Sequence, residues 1–198
     1  EETISYFVDK TVESPTDFDF ALVLYQMYKD DYMCVSIKKD IWYMYTNHRW
    51  EENEGGTGLR MSISTELHDI YFEKFQTVIK LMCSGTLDTS TEEFAKVREN
   101  VKSLKDITTK LKTRGVKDNI MREAKEIFYD RSFIEKVDSN PRLLCFNNGV
   151  IDFETKEFRN GKPDDYLSKS TKINYIKLNE SKHMNIIAEI NDFMTKLF

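Results

Sequence analysis

The sequence predicts an α+β domain, mainly helical, with two small antiparallel β-meanders. Three observations carry that expectation. Apolar residues recur every three or four positions through long stretches of the chain, the signature of amphipathic helices. Two short regions switch to runs rich in Val, Ile, Tyr, Trp and Phe, broken by turn residues, as strands are. The 198 residues are 40% hydrophobic and 32% charged, with only 7 Gly and 3 Pro, so the chain can bury a real core. That composition excludes global disorder and a collagen-like fibre, and no apolar run approaches the length of a membrane span.

The first helix is expected over about 15–30. Ser14 reads as its cap, Pro15 suits its first turn, and Asp17 favours its positive end. From Tyr32 to Asn53 the pattern becomes strand-like, with strands over about 33–38, 41–45 and 48–52. Trp42 and Trp50 fall in this meander. The turn between them prevents a period-two argument about which faces they occupy, and they read as core or interface residues before base-stacking ones. Glu54–Gly58 is a glycine-rich loop. It lacks the Gly-Lys-Ser/Thr ending of a phosphate loop and reads as plain surface.

A long helix follows over about 62–83, with Ile63, Leu67, Ile70, Tyr71, Phe75, Val78, Ile79 and Met82 on one face and Gly85 as its stop. Ser90 and Glu93 form a capping-box pattern that opens the next helix, expected to reach Arg114 and end at Gly115. Asp118 then caps a further helix, and Phe133, Ile134 and Val137 mark a short turn. Residues 143–146 and 150–153 read as a hairpin about Asn147-Asn148-Gly149, because Asn-Gly is a strong turn signal. A third strand covers 157–159, a loop covers 161–165, and 166–176 is extended. The last segment, 182–198, places Ile186, Ile187, Ile190, Phe193, Met194 and Leu197 on one helical side.

Charge is unevenly spread behind a net value of -5. Residues 1–31 carry eight acids against two lysines, and residues 94–125 carry ten bases against four acids. The candidate polyanion contacts are therefore Lys96, Lys102, Lys105, Lys110, Lys112, Arg114, Lys117 and Arg122, which fall mainly off the apolar stripes. The three cysteines are odd in number and set among apolar neighbours, so they read as buried thiols, not as a disulfide scaffold. No catalytic constellation, Walker loop or close metal-ligand spacing is present, and the expectation is no catalytic residue and no metal site. Asp164-Asp165 and Asp30-Asp31 could serve a Mg²⁺-dependent nuclease only if a loop makes them converge.

Two motif runs carry a family resemblance. Asn140–Arg159, containing Asn147, Asn148, Gly149 and Asp152, continues into Pro163-Asp164-Asp165-Tyr166-Leu167-Ser168. Together these resemble the domain that precedes the superfamily-3 helicase core in poxvirus-type primase–helicases, also found in phage and plasmid primase–helicases. The front of the chain, through Trp42-Tyr43 and His48-Arg49-Trp50, resembles versions from nucleocytoplasmic large DNA viruses. The likeness spans about 17–176, and over 85–130 it is one of pattern only.

The resemblance implies a non-catalytic linker, residues 1–181, between a primase module and an ATP-driven hexameric helicase. Residues 182–198 would begin a helix leading into a helicase collar. The implied partners are single-stranded or forked DNA, the adjoining primase and helicase domains, and further copies of the full protein. ATP and Mg belong to the parent helicase, and none is expected in this segment. The implied setting is a viral replication factory in the host cytoplasm. Trp42, Trp50, Asn147, Asn148, Gly149, Asp152, Asp165 and Tyr166 carry over as family-motif residues with structural roles. Two readings stay open beside this one, a pure protein–protein module and the Mg-dependent nuclease. The starting Glu1 and the final helix without a stop signal lead us to expect a piece of a longer protein.

Overall fold

A computed structural model describes residues 2–84, 90–179 and 182–197. Eight helices and six strands are present among them. In order they are α1 (Glu2–Glu13), α2 (Asp17–Tyr28), β1 (Tyr32–Ser36), β2 (Ile41–Thr46), β3 (Arg49–Glu54), α3 (Thr57–Ser62) and α4 (Glu66–Cys83). There follow α5 (Glu92–Lys110), α6 (Arg114–Ile127), α7 (Phe133–Lys136), β4 (Leu143–Phe146), β5 (Gly149–Asp152), β6 (Glu157–Arg159) and α8 (Met184–Leu197). The strands form two separate antiparallel sheets, β1-β2-β3 and β4-β5-β6. This is the expected α+β class with two small meanders.

Several helix boundaries differ from expectation, each for a local reason. An additional helix, α1, occupies the acidic front and buries Val8, Thr11 and Val12. Ser14 closes it, its amide donating to the Lys10 carbonyl, so Ser14 does not cap α2. That role falls to Thr16, whose hydroxyl accepts from the Asp19 amide. Thr91, not Ser90, accepts from the Phe94 amide and caps α5. The helix then stops at Lys110, Thr113 precedes α6, and Gly115 lies inside α6 instead of ending α5. Asp118 is also internal to α6, where it pairs with Arg60 at 2.6 Å. The expected stop at Gly85 and the boundary at 181 lie outside the described residues.

The glycine-rich segment is more than surface. Gly55 and Gly56 both take positive φ, and Gly56 is buried against Met121 and the Trp42 ring, where a Cβ would sit 2.9 Å from Met121 Cε. The tight turn launches α3 directly from β3. Cys34 and Cys145 are buried, but Cys83 is exposed. It lies twelve residues after Tyr71, about 120° around α4 from the buried direction at 3.6 residues per turn.

Strand register decides what the two tryptophans do. Trp42 pairs with Cys34 on one side and Asn53 on the other, whereas Trp50 pairs with Tyr45. Residues paired directly across strands share a face, and alternate residues along a strand do not. Trp42 and Trp50 therefore occupy opposite faces of the first sheet. Trp42 is fully buried in the main core with Leu24, Leu67, Tyr71, Ile107, Ile120 and Phe128. Trp50 meets Tyr45 and Phe133, and Phe133 in turn meets Tyr43 and Tyr166. The first sheet is thus a wall with the helical core on one side and an aromatic layer leading to the second sheet on the other.

Candidate functional site

The second sheet and the loop after it gather most of the motif residues. Asn147 and Asn148 form the two-residue turn that joins β4 to β5, with Phe146 and Gly149 paired across it. Gly149 has φ +154°, and a Cβ there would lie 2.6 Å from the Arg159 carbonyl and 2.6 Å from Phe158 Cζ. Close approach to β6 therefore demands glycine at this position. The Asn148 side chain does not bond its own turn. Its Nδ2 donates to the Tyr175 carbonyl at 3.1 Å and its Oδ1 accepts from the Tyr175 amide at 2.8 Å. The Asn147 amide donates to the Ile173 carbonyl. Together these bonds strap the 173–175 segment to the sheet.

Charge on the inner face of this sheet, the face of Val150, is paired internally. Arg159 donates from both terminal nitrogens to the two oxygens of Asp165, each at 2.8 Å, and lies 3.7 Å from Asp152. The Lys162 amide donates to the same Asp165 carboxylate. Burial pushes the Asp165 carboxyl up, but Arg159 and the Lys162 amide outweigh it and hold it below the usual range. The hydrogen bonds that Arg159 donates to Asp165 in turn raise its guanidinium. Both Asp165 oxygens are committed to this fork, which leaves Asp164 without a partner carboxylate for a metal pair. Among the described residues no group of three or more His, Cys, Asp or Glu is placed to hold a metal ion.

Contacts between the two sheets reuse the motif. Trp50 Nε1 donates to the Pro163 carbonyl at 2.8 Å, and the Trp50 amide donates to the Leu167 carbonyl. The Gly161 amide donates to His48 Nδ1. Asp138, which the sequence reading did not single out, accepts from the Ser168 amide and hydroxyl and from the Lys169 amide. Burial acts to raise its carboxyl, but these bonds prevail and lower it. The Asp138 amide donates to the Tyr166 carbonyl, and both residues take left-handed φ, 53° and 49°. The clue was the Asp138-Ser139-Asn140-Pro141 turn composition, which says nothing about a partner 30 residues away.

The eight candidate cations divide by element. Lys96, Lys102, Lys105 and Lys110 are exposed on α5, and Lys112 is exposed in the link to α6. Lys102 and Lys105 lie opposite the side that buries Leu104 and Ile107. On α6, Arg114 is exposed, Lys117 is half-buried on the side of Ile120 and Met121, and Arg122 is exposed on the far side. Lys117 and Arg122 therefore do not share a face. Lys96 reaches Glu13 at 3.6 Å and Arg114 reaches Asp118 at 3.6 Å. The other six make no ion pair among the described residues. Over 92–127 the ten bases face seven acids, since Glu92, Glu93 and Glu126 belong to the same two helices. The stripe is more mixed than a count over 94–125 implies.

Comparison with known proteins follows the same span. The family described as D5 N terminal like matches residues 21–196. "Putative helicase L207/L206" of Acanthamoeba polyphaga mimivirus is 33% identical over 177 residues, covering 89% of this chain and 18% of that protein. "Putative helicase 022R" of Frog virus 3 is 27% identical over 187 residues, covering 81% and 19%. "Putative primase C962R" of African swine fever virus is 32% identical over 97 residues, covering 46% and 10%. The chain thus spans under a fifth of the length of these relatives.

Proposed function

The chain belongs to the D5 N terminal like family, and from that premise we propose that it is a non-catalytic module of a viral DNA-replication primase–helicase. Relatives named "Putative helicase" share most of this segment, and one named "Putative primase" shares 97 residues of it, which supports a part common to both activities. In this reading residues 1–181 join a primase to a hexameric helicase that uses ATP and Mg, within a viral replication factory of the host cytoplasm. Residues 182–198 begin the helix that enters the helicase collar. The observation that carries the joining role is α8. Ile186, Ile190, Phe193 and Leu197 form one stripe, each more than half exposed, and none of the described α8 residues is buried. A helix with an unburied apolar stripe gains its stability by packing on something else.

DNA contact through α5 and α6 is the second part of the proposal. Titration of the chain with single-stranded and forked DNA at several salt concentrations tests it. We expect binding at low salt that weakens steeply as salt rises, with a slope shallower by about three in K102E/K105E/K110E/K112E. No binding at low salt, or an unchanged slope in that variant, removes the DNA contact while leaving the family assignment intact. The acids mixed into the same helices favour the rival reading, a protein–protein module with no DNA contact. The Arg159–Asp165 fork counts against the nuclease reading.

A further inference from the structure

The outer face of the second sheet carries a feature that neither the joining role nor the basic helices use. Leu144, Ile151 and Phe158 pair across β4, β5 and β6 and so share one face. That face is opposite the one on which Cys145 and Val150 are buried. Tyr175 lies on it, its ring stacked on Phe158 at 4.4 Å and 25° and edge-on to Phe146. The two hydrogen bonds between the Asn148 side chain and the Tyr175 backbone hold the segment that carries this ring. Phe158 remains 38% exposed, and the stacked pair lines an open cleft of about 540 Å³. Lys156 and Lys177 form the rim of this cleft and are exposed, with no ion pair among the described residues. Glu157 is the one acid on the rim.

We propose that this face is a stacking platform for the bases of single-stranded nucleic acid. Unpaired bases have open π-faces that can extend a two-ring stack, and free lysines beside the rings can meet the phosphates between successive bases. A duplex hides its base faces and cannot use such a platform. An apolar protein segment would match the rings but would leave both lysines without counter-charge. The proposal shares with the reading above the premise that the chain meets nucleic acid, but it uses different residues.

The test is fluorescence anisotropy of the chain with an oligo-dT of about 15 nucleotides, a length suited to one small domain, and with a duplex of equal length. F158L/Y175L keeps apolar bulk and removes both π-faces. We expect it to bind oligo-dT about ten-fold more weakly, within the range for loss of base–aromatic stacking, and to bind duplex as before. K156E/K177E should weaken oligo-dT binding and flatten its salt dependence. An oligonucleotide carrying 5-iodouracil should crosslink to Tyr175 or Phe158 in the unaltered chain, which decides the matter if the double leucine variant proves unfolded. Oligo-dT affinity unchanged in a folded F158L/Y175L, or crosslinks confined to 92–127, overturns the platform. If K102E/K105E/K110E/K112E binds oligo-dT normally while F158L/Y175L does not, the basic-helix contact fails and the platform stands.

Discussion

At Gly149 a methyl group would meet the Arg159 carbonyl, a backbone atom that cannot swing aside, whereas at Gly115 nothing lies within 4 Å. The two glycines therefore predict opposite outcomes. Gly149→Ala should destabilise the chain by roughly 2 kcal/mol through overpacking and strain. Gly115→Ala, inside a helix, should stabilise it by about 0.5–1 kcal/mol. Denaturant midpoints of the two variants measure both, and a loss of stability in Gly115→Ala would restore that residue as a helix terminator. The Arg159–Asp165 fork gives a second test at this scale. Asp165 is 9% exposed and Arg159 27%, so Arg159→Leu strands a largely buried carboxylate and should cost about 2 kcal/mol. Asp165 and Asp138 both have folded values below the ordinary carboxylate value. Their contribution is thus fully present above the unfolded value of about 3.9, and is lost as pH falls through the folded values. Thermal unfolding followed from pH 7 downward should show the midpoint dropping below about pH 4. In Asp165→Asn the neutral plateau should be lower and that drop shallower.

Helix boundaries were the least legible features at the scale of elements. Thr16 and Thr91 cap their helices although Ser14 and Ser90 stand nearby, because a cap is chosen by which hydroxyl reaches an amide three residues on. The residue class alone does not say this. Helix interiors were plainer: the apolar period named Leu67, Tyr71, Leu104, Ile107, Met121 and Ala124, which are buried, but it missed His68 and Ile120, and Ile70, Phe75 and Val78 are only half-buried. The proposed phosphate contact belongs at this scale too, and its charge-reversal test rests on four exposed lysines of α5 and the link after it, not on the total charge. For α8, the prediction concerns assembly. Sedimentation at rising concentration should show weak self-association of the chain, and I190E/F193E should abolish it. The stability should stay within about 0.5 kcal/mol of the unaltered chain, because no described α8 side chain is buried. A large loss of stability in that variant would mean that α8 packs on the rest of the domain.

Across the whole molecule, the first sheet is the organising wall. One face, through Trp42, closes the helical core, and the other, through Trp50, holds the motif loop by bonds to Pro163 and Leu167. The sequence alone determined the α+β class, the two meanders, the apolar faces of the long helices, and the motif residues of the second sheet. The first three follow from local periodicity and turn chemistry, which act over a few residues, and the motif residues came from the family resemblance. Only the tertiary structure decided that Trp42 and Trp50 face opposite ways, that Asn148 clamps Tyr175, that Asp165 is spent on Arg159, and that Phe158 and Tyr175 stack. Each of these depends on strand register or on a contact between segments distant in the chain. A one-residue change in register sends a side chain to the other face, so no local pattern could have specified them.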